Sequence, residues 1–370
     1  MNLRIPGPTP CPPQVLEACA GLMIDHRGPQ FAQLLSRVTE GLKQLFQTEN
    51  DVLILTTSGT GAMEAAVVNT LSPGDRVLAV SIGEFGHRFT RIAEVYGAEV
   101  VQLTFPHGQA ADPVALEEAL ADAPDVKAVL ITHNETSTGV TNDLKALAKV
   151  ARHHDKLILV DAVSSLGAIP CPVDEWDLDV VCTASQKGWM VPPGLAMVSV
   201  GPRAWEAYSH ARMPRFYFDF AKARDFAKDG QTPWTPAISM FYAFDVALEM
   251  LLSEGIESIF ARHQRIGQMV RDGVKELGLG LAADERFASN TVTAVKVPEG
   301  LEVGKLRRLM EEEHEVVMAG GQGPMRGKVF RIGHLGLVND KDIQHVLEAL
   351  GQVLDKLGFH AGKAQHSRVD

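Results

Sequence analysis

The sequence predicts an α/β protein: a large, mostly parallel seven-stranded sheet sandwiched by helices, followed by a smaller α+β C-terminal domain. Two observations carry this reading. From Asp51 to Val200, seven short apolar, β-branched runs alternate with longer segments of helical periodicity, the pattern of repeated βαβ units. After Ala237 the alternation stops, and two long helical patterns lead into a short mixed region. The length agrees, because 370 residues correspond to two or three domains rather than one small module.

Taken in order, the predicted strands are 51–56, 76–80, 99–103, 126–131, 156–160, 179–182 and 195–200, all apolar enough to read as buried strands rather than half-exposed edges. Between them, 61–71, 88–96, 114–121 and 144–153 repeat apolar residues at i, i+3 and i+4, as helices packed on a sheet do. Helices 237–253 and 256–277 are split by Glu254-Gly255, which predicts a domain boundary. The remainder reads as strand 291–297, helix 303–314, strands 316–319 and 329–332 in a small antiparallel sheet, and helix 341–357. The predicted division is an N-terminal segment 1–15, a large domain 16–253, a small domain 254–360 and a disordered tail 361–370 without apolar periodicity.

Composition narrows the function classes. With 45% hydrophobic and 22% charged residues the chain is not a disordered one. A net charge of -11, from 35 Lys+Arg against 46 Asp+Glu, disfavours a broad cationic face for nucleic acid or anionic membrane, while leaving room for a local anion pocket. The N-terminus has no apolar run of signal-peptide length, and no stretch approaches the roughly 18 apolar residues of a membrane span, so a cytoplasmic protein is expected. Cys11, Cys19, Cys171 and Cys182 form no C-x-x-C pair or Cys/His cluster and read as reduced structural thiols, with no metal site.

In open α/β sheets, ligands collect beyond the carboxyl ends of the strands. Three features stand there. The turn Thr56-Thr-Ser-Gly-Thr-Gly61 runs from strand to helix and would aim free N–H groups and a positive dipole end at an anion. It lacks the Gly-Lys-Ser/Thr of a P-loop and the third glycine of the dinucleotide fingerprint, and alone it equally suits a capped loop. Asp161 closes the strand at 156–160, where an aspartate could also merely cap a turn. Lys187, in Ala184-Ser-Gln-Lys-Gly188, follows the strand at 179–182; alone it would read as a solvated charge.

Together, a phosphate cradle, an acid for a pyridinium nitrogen and an imine-forming lysine are the parts of a pyridoxal-phosphate enzyme. The motifs run in order: Ser58-Gly-Thr-Gly-Ala-Met-Glu64, Thr132-His-Asn-Glu-Thr-Ser-Thr-Gly139, Val160-Asp-Ala-Val-Ser-Ser-Leu-Gly167, Ser185-Gln-Lys187 with Pro192-Pro-Gly194, and Phe330-Arg-Ile-Gly333. From Pro6-Gly-Pro8 to the last helix, the chain resembles the class V pyridoxal-phosphate-dependent aminotransferases of fold type I, nearest the alanine/serine:glyoxylate aminotransferase group. The resemblance implies a two-step transfer of an amino group from alanine or serine to glyoxylate or pyruvate.

It also implies residue roles. Lys187 would be the imine-forming lysine that moves the proton, and Asp161 the partner of the ring nitrogen. Phe85 would stack on the ring where relatives often carry Trp, Val163 would pack its other face, and Thr136 would bond the phenolic oxygen. Ser58, Gly59, Thr60, Gly61 and Gln186 would hold the phosphate. Gln231 and Thr232, in a segment that matches more loosely because Gln stands where relatives show Tyr or Asn, would complete the cradle of a neighbouring subunit, making the active unit a homodimer. Arg331 would anchor the substrate carboxylate beside the backbone of Gly7; even without the resemblance, an arginine in the apolar strand Val329-Phe-Arg-Ile calls for a buried anion. The stretches 23–28 and 320–324 would line the opening.

Other readings fare less well. His153-His154-Asp155 at a helix end splays its side chains apart, His133 reads as a residue behind the site, and Glu311-Glu-Glu-His314 is a solvated helix face. A lyase on the same fold, such as a cysteine desulfurase, would need a late cysteine and His-Lys rather than Gln-Lys. A phosphoserine aminotransferase would need a second basic cluster at the mouth. A retired binding protein on this fold would be free to lose Lys187, Asp161, Gln186 or Arg331, and all four are present.

Overall fold

The computed structural model describes residues 1–359; the tail expected at 361–370 lies outside them. In chain order the elements are β1 (Asn2–Arg4), α1 (Pro13–Ala18), α2 (Pro29–Phe46), β2 (Asp51–Leu55), α3 (Gly59–Thr70), β3 (Arg76–Ser81), α4 (Glu84–Val95), β4 (Glu99–Thr104) and α5 (Pro113–Asp122). Next come β5 (Ala128–Thr132), β6 (Asn134–Glu135), β7 (Val140–Thr141), α6 (Leu144–His153), β8 (Leu157–Asp161), β9 (Val180–Ala184), β10 (Ala196–Val200), α7 (Pro202–His210) and α8 (Phe220–Lys228). The last are α9 (Ile238–Glu254), α10 (Ile256–Glu276), β11 (Val292–Lys296), α11 (Val303–His314), β12 (Val316–Gly320), β13 (Val329–Gly333) and α12 (Asp340–Lys356).

The seven-stranded sheet has the order β2-β10-β9-β8-β5-β3-β4, and β10 runs antiparallel to both of its neighbours. Alternate residues of its strands enter opposite cores. Ile54, Val80, Val129, Ile131, Ile158 and Val160 pack on one face against helices that include α2 and α9, while Leu55, Ala79, Leu130 and Leu159 pack on the other against α3 and α8. Both faces are thus removed from water, which is why these strands read as continuous apolar runs. A third core beneath α10, α11 and α12 belongs to a four-stranded sheet of order β1-β12-β13-β11.

The structure corrects the sequence reading in two places. Strands β2 and β4 are the two edges of the sheet; β2 is nonetheless mostly buried, whereas β4, which pairs only with β3, has no buried residue. The small sheet is mixed rather than antiparallel: β1 joins β12 in parallel register, with Asn2 opposite Val316. Three residues ahead of Pro6-Gly-Pro8 offer no periodicity to read, so this strand is recruited by tertiary contact. Helix α2 is an addition to the predicted elements, and its pattern is plain in the sequence; Phe31, Leu34, Leu35, Val38, Leu42 and Leu45 are buried along one face at helical spacing. No helix among the described residues is long and apolar enough to cross a membrane.

Candidate active site

The parallel strands deliver the polar groups to one edge of the sheet. Asp161 is the last residue of β8, Lys187 lies in the turn after β9, Ser58 leads from β2 into α3, and Thr136 follows β6. The lysine turn is fixed from both sides. Trp189, fully buried, donates its indole N–H to Thr183 Oγ1 at 2.9 Å, and Ser185 Oγ donates to the Pro192 carbonyl at 2.8 Å. From the N-terminal segment, Thr9 donates its N–H to the Gln186 carbonyl at 3.1 Å and its hydroxyl to the Lys187 carbonyl at 2.9 Å.

Lys187 is 9% exposed, and its amine donates to the Pro6 carbonyl at 2.5 Å. Burial brings its pKa down to about 8; Asp161 opposes that shift, while Arg331 and Arg88 add to it. Gly7 is required beside it: at φ +127 an added Cβ would stand 2.5 Å from the amine nitrogen. Asp161 is buried and accepts the Val163 N–H at 3.0 Å. Burial pushes its pKa up to about 6; the Val163 bond pulls against that, Glu135 adds to it, and Lys187 and Arg88 oppose it.

The turn before α3 forms a cradle because it has no room for side chains. Ser58 caps the helix, its hydroxyl accepting the Gly61 N–H at 3.4 Å. A Cβ on Gly61 would collide with Thr57 Oγ1, and one on Gly59 would lie 2.6 Å from Val163 Cγ2. Thr60 Oγ1 accepts from Arg88 Nη1 at 3.2 Å, and the Arg88 guanidinium sits 4.7 Å over the Phe85 ring. Gln186 Oε1, adjacent to the lysine, is buried without a hydrogen-bond partner.

Two residues to which the sequence reading gives no role shape this site. Arg88, exposed on α4, brings a cation to the cradle. Glu135 is fully buried and accepts the N–H groups of Phe85 and Gly86 at 3.0 and 3.1 Å through Oε2, and the Ser137 N–H and hydroxyl at 3.0 and 2.6 Å through Oε1. It therefore caps α4 from a separate strand and fixes where Phe85 stands. Burial raises its pKa, against the pull of those four bonds. Spacing gives no signal for this role, since 135−85 = 50 residues separate the cap from the helix it caps.

Thr136 lies behind the same wall, its hydroxyl donating to Ser164 Oγ at 2.9 Å. Its carbonyl accepts from Arg331 Nη1 at 3.1 Å; Arg331 also donates Nε to the Gly320 carbonyl at 2.9 Å and Nη1 to Gln322 Oε1 at 3.2 Å. All three acceptors are uncharged. Arg331 is 5% exposed, and burial lowers its pKa to about 10 although Glu135 partly supports it.

Gln231 and Thr232 are not brought to the cradle of their own chain by any hydrogen bond among the described residues. Gln231 Oε1 and the Thr232 carbonyl accept from Arg27 Nη1 at 2.7 and 2.8 Å, so the segment is clasped to the 23–28 stretch. His133 is buried against Trp176 with its pKa pushed down to about 3 by burial, and His154 bonds Glu117 at 2.7 Å.

The aminotransferase class-V family model matches residues 1–331. A Synechococcus sp. protein described as the small subunit of a soluble hydrogenase is 48% identical over 99% of this chain and 97% of its own. The L-aspartate–glyoxylate aminotransferase of Paracoccus denitrificans is 40% identical over 96% of this chain and 91% of its own. Among solved structures, the alanine–glyoxylate aminotransferase of Nostoc sp. superposes with a TM-score of 0.92 at 31% identity, covering 95% of each chain. With its motifs in family order, its sheet in the aminotransferase arrangement and a match over most of its length, the chain belongs to the class V aminotransferases.

Proposed function

We propose that this protein is a pyridoxal 5'-phosphate-dependent aminotransferase that moves the amino group of a small amino acid, alanine or serine, to glyoxylate or pyruvate. The observation that carries the proposal is a buried lysine amine of lowered pKa, next in the fold to a buried aspartate and a glycine-walled helix start. The residues present fit the cofactor. Ser58, Gly59, Thr60 and Gly61 form a helix start whose dipole favours an anion and whose glycines leave no room for a Cβ, and Gln186 holds an unpartnered amide oxygen beside the lysine, an amide that can turn its donor outward. Asp161 would meet the ring nitrogen, Phe85 and Val163 its faces, and Thr136 its phenolic oxygen.

When bound, the cofactor supplies an electron sink for the substrate α-carbon. The chain's own groups do the rest. Lys187 Nζ, with a pKa near 8, is poised to accept and return a proton at neutral pH. Arg331 binds the α-carboxylate and sets which face of the substrate meets Lys187. Gly7, with no Cβ to press on the amine, leaves the lysine room to swing. The acceptor reading draws support from the two glyoxylate-named relatives, and the Paracoccus enzyme adds aspartate to the donors worth testing. The working unit in this reading is a homodimer in which Gln231 and Thr232 complete the partner's cradle.

The test is spectroscopic and kinetic. Protein reconstituted with the cofactor should show a visible absorbance band that shifts on adding alanine or serine and returns on adding glyoxylate, and Lys187→Ala should lose band and turnover. Failure of both alanine and serine to shift the band would move the donor assignment to another amino acid.

A further inference from the structure

We infer that Gln322 is a positioning residue of the carboxylate subsite: its side-chain oxygen holds the place of the substrate carboxylate on Arg331 and must leave for that carboxylate to be gripped by both arms of the guanidinium. The inference rests on the reading of Arg331 as the substrate anchor. A guanidinium grips a carboxylate through two parallel N–H bonds, either end-on from Nη1 and Nη2 or side-on from Nε and Nη2. Here the Nε hydrogen is taken by the Gly320 carbonyl, and both Nη1 hydrogens are taken by the Thr136 carbonyl and Gln322 Oε1. Neither grip is open until one partner leaves.

The three partners are not equally held. Gly320 ends β12 and is paired with Phe330 of β13, so its carbonyl is part of the sheet. Thr136 lies between Glu135 and Ser137, whose side chains are bonded to each other and to the start of α4. Gln322 is the only side chain of the three; it makes the longest bond, at 3.2 Å, is half-buried, and is flanked by Gly320, Gly321 and Gly323. Gly323 has φ +48 and abuts the Glu84 carboxylate, so any side chain there would be strained. Release of Gln322 returns one Nη1 hydrogen to the substrate carboxylate. A neutral amide is well matched to such a placeholder, because it satisfies and orients the arginine without neutralising it, and a carboxylate, bonding with full charge, displaces it.

The ligand class is the α-carboxylate of the amino acid or oxo-acid, and propionate, which has neither an amino nor an oxo group, serves as a probe that binds without reacting. Propionate is titrated calorimetrically into the purified protein at pH 7.5. Gln322→Ala, and the closer-sized Gln322→Leu should the alanine variant fold poorly, are expected to bind propionate about three- to tenfold more tightly, the net worth of one ordinary hydrogen bond that propionate no longer has to displace. Gln322→Glu, which supplies its own carboxylate, is expected to bind it at least about tenfold more weakly. Arg331→Lys should lose at least about tenfold with the wild-type glutamine in place. If Arg331→Lys loses affinity while the alanine and leucine variants bind propionate unchanged or more weakly, the role of Gln322 is wrong and the anchor stands. If Arg331→Lys leaves affinity unchanged, the anchor fails and the inference with it.

Discussion

At the scale of the residue, Asp161 and Lys187 sit in a volume where neither keeps its solution charge behaviour. Asp161 moves from 3.8 to about 6 because burial disfavours its anion. Between those values the folded protein binds a proton that the unfolded chain lacks, so stability falls as pH rises through that window, and above it the anion costs roughly 3 kcal/mol. Asp161→Asn should therefore raise the melting temperature of cofactor-free protein at pH 7.5 by a few °C while weakening cofactor binding, since the amide still accepts the Val163 N–H without the charge. Lys187 moves the opposite way, from 10.5 to about 8; between those values the unfolded chain holds the extra proton, and stability rises with pH. Labelling with an amine-reactive probe, followed by peptide mapping, should find Lys187 reacting with a midpoint near pH 8, and the midpoint should fall in Asp161→Asn, which removes the anion that favours the charged lysine. Both residues are legible in the sequence because each stands at the carboxyl end of an apolar strand or in the turn after it. Arg88 and Glu135 are not, since one reads as an ordinary helix-surface charge and the other acts on a helix 50 residues before it.

At the scale of the element, strand interiors and most helix starts are readable, and α4 shows where a start is not. Helix α4 starts at Glu84, four residues before the predicted 88, because its first N–H groups find an acceptor in Glu135, a tertiary contact with no local sequence mark. Glu135→Gln turns an amide N–H₂ toward one pair of these donors whichever way it points. It should lower the melting temperature, with a cost of about 1–3 kcal/mol, and loosen cofactor binding through Phe85. Helix α3 gives a cleaner case. Gly61→Ala should cut cofactor affinity by at least about tenfold by pushing on Thr57, and Thr57→Ala in the same chain should recover most of that loss by making room. Equilibrium dialysis of the cofactor across the single and double variants measures this directly. Strand β4 shows the converse limit: its sequence reads as a buried run, yet it lies at an edge, because strand order is set by crossovers and not by composition.

At the scale of the whole molecule, the Arg27 clasp stands near several exposed large apolar side chains. Leu22 is 88% exposed, Met23 65% and Phe216 68%, and Phe216 stacks on Trp234 at 5.0 Å, next to the residues Arg27 holds. Sedimentation should find a dimer, and Met23→Asp combined with Phe216→Asp should shift it toward monomer with loss of turnover. The N-terminal strand has a consequence of another kind, in how the chain is made. Pro6 and Thr9 cover the lysine, but β1, the strand that holds this segment in place, pairs with a partner 316−2 = 314 residues downstream. On the ribosome, the large sheet has all its strands once residue 200 has emerged, while the N-terminal segment waits for β12. Lys187 and every strand of its sheet are thus made well before the strand that moors the lysine's cover.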